Sequence, residues 1–412
     1  MDDAGERMAA SAVWADVFAE VADRSHLATG DQLSVMVDHA VAPLGLTAEV
    51  MLVNLAQRAL VVIRPGHDER IDVEATLTGR AFQLGELIAG TGPDGERLLL
   101  VPMLDGTERV GVLRLGLPAS VVDDARFRAR CWSLAGLVGH IVMIKVACSD
   151  RLRRLRSDSA LSTAAELLWQ LVPPRTFATD RVVVTALLEP WDQVAGDAYD
   201  YAVDEDVVDL AVFDGVGHDL SAGLSTALAL TAIRNARRAH VTGLVELAGQ
   251  ADRLLVGRPG PTRFVTAVLA RLDTRTGVLD YLVAGHPPPL LVRDGRIVKE
   301  LDAPVGPPLG VPPAAGRAAT QGREQLEPDD RLLLYSDGIV EARDPQGAFF
   351  GVERLVDLTE RTEMSRVSAP ETLRRLTAAV LEHQAGELQD DATLVMVDWS
   401  TDASDRMLRD PH

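Results

Sequence analysis

Four apolar strand patterns end on or begin with aspartate: VAGDAYDY (194–201), AVFDGVGHD (211–219), LLLYSDG (332–338) and LQDDATLVMV (388–397). These carboxylates limit the fold more than any other feature of the chain. An aspartate at the end of a buried strand is costly unless a positive group meets it. Turn chemistry accounts for any one Asp-Gly pair. Four such ends, far apart in sequence and each beside glycine, serine or threonine, point instead to a shared cation. Hard divalent ions such as Mg²⁺ and Mn²⁺ take oxygen ligands and keep several waters. Two of them about 3.5–4 Å apart need a handful of carboxylates, one of them bridging. Without cations, clustered carboxylates repel one another.

The patterns around these aspartates predict their scaffold. RVVVTALLEP, VVDLAVFD, RFVTAVLARLD, VLDYLVAG, PLLVRDGRIV, RLLLYSD and ATLVMVDW read as strands, with Asp294-Gly295 as a hairpin turn. Residues 220–239 and 370–385 read as helices, so residues 176–400 are expected to form a β-sandwich with helices outside it. At 412 residues the chain is too long for one core. Residues 1–148 form a separate pattern: a helix, strands at 48–54, 59–65, 97–104 and 109–117, a hairpin at Asp105-Gly106, and a closing helix over 124–148. Residues 149–175 read as a charged helical linker, ended by Pro173-Pro174. In it Leu161, Ala164, Leu168 and Leu171 form a short seam that packs either on its own domain or across a dimer. Residues 401–412 read as a solvated tail.

Composition excludes several classes. A formal net charge of −20 argues against a nucleic-acid partner. Two cysteines, Cys131 and Cys148, are too few for a disulfide framework and fit the cytoplasm. The N-terminus lacks the basic-then-apolar order of a signal peptide. The stretch CWSLAGLVGHIVMIKVAC (131–148) imitates a membrane span but carries His140 and Lys145, so a half-buried helix and no membrane span are expected.

Residues 165–398 resemble the metal-dependent, type 2C protein serine/threonine phosphatases, specifically their bacterial SpoIIE/RsbU branch. The resemblance rests on LVPP, VAGDAYDY, AVFDGVGHD, RFVTAVLARLD, VAGHPPPLLV, PLG (308–310), LLLYSDGIVEA and DDATLVMV. It implies an α+β chain with a type-2C phosphatase β-sandwich flanked by helices. It also implies two divalent metal ions, Mn²⁺ or Mg²⁺, and hydrolysis of phosphoserine or phosphothreonine by water. Carried over position by position, Asp214 matches the bridging ligand and the Gly215 carbonyl a backbone ligand. Asp197 matches the second metal's carboxylate, while Asp337 and Asp390 complete the first metal's site. Asp391 is the alternative to Asp390, which is preferred. Asp197 and Asp214 are thereby the candidate catalytic residues. Residues 1–148, through VPMLDGTERVGVLRL, resemble a GAF domain, which implies either a small-molecule or protein signal there or an unliganded dimerisation scaffold.

The branch implies as substrate a phosphorylated anti-sigma-factor antagonist of the STAS type, with homodimerisation through the linker. Departures are present: Ala195-Gly196 replaces a glycine pair, and Asp219 replaces a glycine after His218. Val216 stands where eukaryotic members carry a candidate acid histidine. His218 is therefore either structural, at a helix start, or an acid or phosphate contact, and His286 is expected to make a structural hydrogen bond. Two rivals are a non-catalytic phosphoprotein-binding scaffold and an enzyme for small phosphoesters. The full aspartate set speaks against the first, and the lack of a GxxxxGK[ST] loop leaves the second without support from a nucleotide motif.

Overall fold

Period-two alternation decides which residues of each strand are buried, and this gives two independent cores. The computed structural model describes residues 3–64, 66, 69–157, 161–189, 196–217, 219–256, 264–311, 319–364, 367–386 and 388–400. The chain forms two compact units that divide between residues 160 and 161. The predicted tail, 401–412, lies outside the described residues.

The first unit contains α1 (Asp3–Ser25), α2 (Leu33–Val41), β1 (Thr47–Val53), β2 (Ala59–Val62), β3 (Arg70–Asp72), α3 (Leu77–Leu84), β4 (Ile88–Thr91), β5 (Arg97–Asp105), β6 (Glu108–Leu117), α4 (Ala125–Val146) and α5 (Asp150–Arg156). Its strands make one antiparallel sheet in the order β3-β2-β1-β6-β5-β4. The β5–β6 turn falls on Gly106-Thr107, one residue later than the sequence suggests, with Gly106 at φ 60°. One sheet face is covered by α1, α2 and α4, the other by α3. Among the described helices, α4 alone is long and apolar enough to cross a membrane by length and composition. Its Leu134, Val138, Ile141 and Val142 instead fill the core of this unit.

The second unit opens with α6 (Thr163–Leu171) and β7 (Thr176–Ala178), followed by β8 (Val182–Glu189), β9 (Asp197–Val203), β10 (Val207–Gly215), α7 (Leu220–Arg238) and α8 (Leu244–Val256). Then come β11 (Val265–Asp273), β12 (Val278–Ala284), β13 (Leu290–Arg293), β14 (Arg296–Glu300), β15 (Gln321–Gln325) and β16 (Arg331–Tyr335). It closes with α9 (Asp337–Val340), α10 (Val352–Met364), α11 (Ala369–His383) and β17 (Ala392–Trp399). Two antiparallel sheets, β15-β12-β11-β10-β9 and β14-β13-β16-β17-β8-β7, stack as a sandwich. Between them lie Val184, Ala186, Tyr199, Leu210, Val212, Val268, Val283, Leu334 and Val395. The outer face of the first sheet is covered by α6, α7 and α8, that of the second by α9, α10 and α11. Asp294-Gly295 does form the β13–β14 turn, with φ 50° and 72°.

Two expectations are corrected. The stretch read as one linker helix is two, α5 and α6, because Ser157 is extended and Ser162 caps a new helix by accepting from the Ala165 N–H at 3.1 Å. Of the seam, Leu161, Leu168 and Leu171 pack in the core shared with α7 and α8, so its partner is its own unit; Ala164 is buried as well. Besides the two helices expected in the second unit, α8 and α10 are also present.

Candidate metal centre

On β10 the inward row Val208, Leu210, Val212 continues by alternation to Asp214. Asp214 lies directly across from Asp197 on β9 and from Thr266 on β11. Like charges facing each other across strands are destabilising without a cation between them.

The second sheet contributes its own carboxylates. Asp337 heads α9 immediately after β16, and Asp390-Asp391 precede β17. Hydrogen bonds join these ends. Thr393 Oγ1 donates to Asp197 Oδ2 at 2.7 Å, and Asp391 Oδ2 accepts from the Asp197 N–H at 3.3 Å and from the Gly196 N–H. Ser336 Oγ accepts from the Thr393 N–H at 3.0 Å. Asp391 is thus buried and occupied with backbone amides, whereas its neighbour Asp390 is exposed.

The glycines serve close approach of main chains. A Cβ on Gly196 would lie 2.7 Å from the Gly215 carbonyl oxygen and 3.1 Å from that of Gly217. A Cβ on Gly338 would collide with the Asp391 carbonyl, and one on Gly215 with Thr226 Oγ1. Thr226 Oγ1 itself donates to the Gly196 carbonyl at 2.6 Å. Only glycine lets these segments interlock beside the aspartates.

Burial holds the Asp197 carboxyl well above the usual range, with Asp214 and then Asp391 adding to it. Burial, then Asp337, Asp390 and Asp391, pushes Asp214 up to about 7. Asp337 is raised by burial and next by Asp390. The charged groups that shift these three are all carboxylates. His286 follows β12, is 3% exposed, and is pulled down to about 4 by burial. Its Nδ1 is 2.7 Å from Thr266 Oγ1. Val216 is exposed, and His218 lies outside the described residues.

The structure therefore brings Asp197, Asp214, Gly215, Asp337 and Asp390 to one end of the sandwich. Among the described residues, no three His, Cys, Asp or Glu side chains stand close enough to share one ion. An all-oxygen, net-negative and partly desolvated set still fits Mg²⁺ or Mn²⁺, because such ions bind through one or two carboxylates and keep their waters. Sequence reasoning missed Thr226, Thr266, Ser336 and Thr393, the hydroxyls that orient this set. Thr266 and Thr393 could have been found: each lies two residues before inward-facing valines, Val268 and Val395.

Residues 204–400 match the family described as Stage II sporulation protein E (SpoIIE). The second unit is a SpoIIE-type domain. Among curated proteins, the chain is 25% identical over 243 residues to phosphoserine phosphatase RsbU of Bacillus subtilis, covering 58% of this chain and 70% of that one. It is 25% identical over 242 residues to protein IcfG of Synechocystis sp., covering 52% of this chain and 37% of the relative. It is 26% identical over 226 residues to phosphoserine phosphatase RsbP of Bacillus subtilis, covering 53% of each chain. The match thus spans 37% to 70% of these relatives' lengths. Among solved structures, the SiaA-PP2C domain of Pseudomonas aeruginosa is 24% identical with a TM-score of 0.47, over 53% of this chain and 86% of that one. In the SpoIIE-type domain the conjunction of strand ends, glycines and carboxylates lies inside or just before the matched span.

Proposed function

We propose that the chain is a divalent-metal-dependent protein serine/threonine phosphatase. The observation that carries this reading is the direct pairing of Asp214 with Asp197 inside a cluster whose charged groups are all carboxylates. The names of RsbU and RsbP as phosphoserine phosphatases support a phosphoserine substrate. In this reading Asp197, Asp214, Asp337, Asp390 and the Gly215 carbonyl hold two ions, Mn²⁺ or Mg²⁺. When bound, such ions supply an activated water and offset charge on the phosphoryl oxygens.

The protein's own groups prepare the site. Thr393 fixes one oxygen of Asp197, and Asp391 fixes the backbone that carries it. With Asp391 so engaged, Asp390 is the member of the pair left at the surface, which supports it as the ligand. Exposure of Asp390 and partial exposure of Asp337 leave the cluster open on the side from which a phosphorylated segment approaches.

The substrate we propose is a phosphorylated anti-sigma-factor antagonist in the cytoplasm. The first unit is proposed to act as the GAF-like sensor, taking a small-molecule or protein signal. Hydrolysis of p-nitrophenyl phosphate by the full chain, with and without Mn²⁺, tests the chemistry. Manganese-dependent turnover that falls at least about a hundredfold in Asp214→Ala is expected. Equal turnover in the variant and the wild type would overturn the reading.

A further inference from the structure

We infer that His286 is a positioning residue that acts through Thr266 to hold the Asp214 carboxylate in its metal-binding orientation. The inference rests on the metal-centre reading above and adds two residues to it. Neither belongs to the aspartate set, and both sit behind Asp214 on the inner face of the first sheet.

The geometry is a chain of three groups. Thr266 Oγ1 lies 2.7 Å from His286 Nδ1 and donates to Asp214 Oδ2 at 3.4 Å. A hydroxyl has one hydrogen and can serve one acceptor with it. With Asp214 ionised, as metal binding requires, both contacts hold together only if His286 Nδ1–H donates to Thr266 and the Thr266 hydroxyl passes its hydrogen on to Asp214. Both donors then point toward the anionic aspartate.

The rest of the ring agrees with that assignment. A neutral imidazole protonated at Nδ1 has a bare Nε2, and Nε2 is buried with no hydrogen-bond partner; the Tyr335 main chain beside the ring opposes the lowering of its pKa by burial without overcoming it. Burial keeps the ring neutral. The segment that carries it is fixed. Gly285 adopts φ 69°, bridges Ala267 next to Thr266, and packs so closely on Pro308 that a Cβ would lie 2.5 Å from its Cγ. Asp214 itself comes from a different strand, and Thr266 is the residue that meets it directly from β11. Groups that orient a metal ligand from behind commonly change affinity by 10–100-fold when removed.

The test uses the full chain and measures Mn²⁺ dissociation by titration calorimetry, alongside melting in EDTA. Asn places an amide nitrogen where Nδ1 stands, so His286→Asn should bind Mn²⁺ nearly as the wild type does. His286→Leu should weaken binding by about tenfold or more. Thr266→Ser should keep the affinity and the isosteric Thr266→Val should lose it by a similar factor. Should His286→Leu fail to fold, the Thr266 pair decides. Wild-type affinity in Thr266→Val or His286→Leu would overturn the inference, as would equal losses in His286→Asn and His286→Leu. Asp214→Ala is the reference. Were Mn²⁺ binding unchanged in Asp214→Ala, the metal reading itself would fall. Loss there together with wild-type affinity in Thr266→Val removes only the positioning role.

Discussion

Asp214 is a liability to the metal-free protein, and the sign of that liability can be measured. Its carboxyl is raised from 3.8 to about 7, so between those values the folded state holds a proton that the unfolded state has released. Stability from this group is present below about pH 4 and is lost as pH rises through 7. His286 opposes it: lowered from 6.5 to about 4, its contribution is present above 6.5 and is lost as pH falls. As pH rises beyond 6.5 His286 becomes neutral in both states and stops offsetting the aspartates. In EDTA, the melting temperature of the second unit should therefore fall between pH 6.5 and 8. Mn²⁺ should raise it more at pH 8 than at pH 6.5, because protons compete with the ion for the same oxygens. Asp214→Asn should flatten the slope and melt a few degrees higher than the wild type in EDTA at pH 8. A flat wild-type profile over that range would count against the carboxylate cluster. The aspartates were legible in sequence because charge at the end of a buried strand demands a reason. Thr266 and Thr393 were only partly so, because threonine in a strand also reads as ordinary β-propensity, and Thr226 was hidden within a helix.

At the scale of elements, α7 links the site to α6. Asp219 caps it by accepting from the Ala222 N–H at 2.9 Å, and Thr226 on its first turns holds the Gly196 carbonyl. Nearer its other end, Arg234 donates to the Leu171 carbonyl of α6 at 2.8 Å and to Asp200 of β9, which Arg237 also meets at 2.9 Å. Asp200 is 2% exposed and meets both arginines inside the fold. Arg234→Met removes one of them and the tie to α6. Breaking a buried pair costs about 3–5 kcal/mol when no second partner remains, and Arg237 remains here. About 2–3 kcal/mol is expected, a fall of roughly 4–12 °C by calorimetry for a unit of this size. A fall under about 1 °C would show that the tie carries no load. The same elements show what sequence left hidden. The sandwich strands β8, β10, β11 and β16 were legible from their apolar runs. β15, with sequence QGREQ, was not, because an edge strand exposed on alternate residues has a polar pattern. The break between α5 and α6 was masked by charge and leucine spacing that continue helically across it, and only the cap serine marks the restart.

For the whole molecule, the division at 160/161 places α6 within the second compact unit. The following LVPP segment belongs there as well: Tyr199 and Tyr201 of β9 donate their hydroxyls to the Pro173 and Pro174 carbonyls at 2.9 and 2.6 Å. A fragment beginning at residue 176 would leave both hydroxyls without these acceptors and uncover the α7 surface on which Ala165 and Leu168 pack. Full exposure of one buried leucine partner surface alone costs about 1.5–3 kcal/mol. A fragment of residues 161–412 should therefore melt cooperatively and bind Mn²⁺ as the full chain does. A fragment of residues 176–412 should melt at least about 5 °C lower or fail to stay soluble. Comparing p-nitrophenyl phosphate turnover of the longer fragment with that of the full chain then separates the two roles open to the first unit. Faster turnover in the fragment means the first unit restrains the site, and slower turnover means it supports it. Identical melting of the two fragments would show that α6 contributes nothing to the second unit, and would return the helix to the linker.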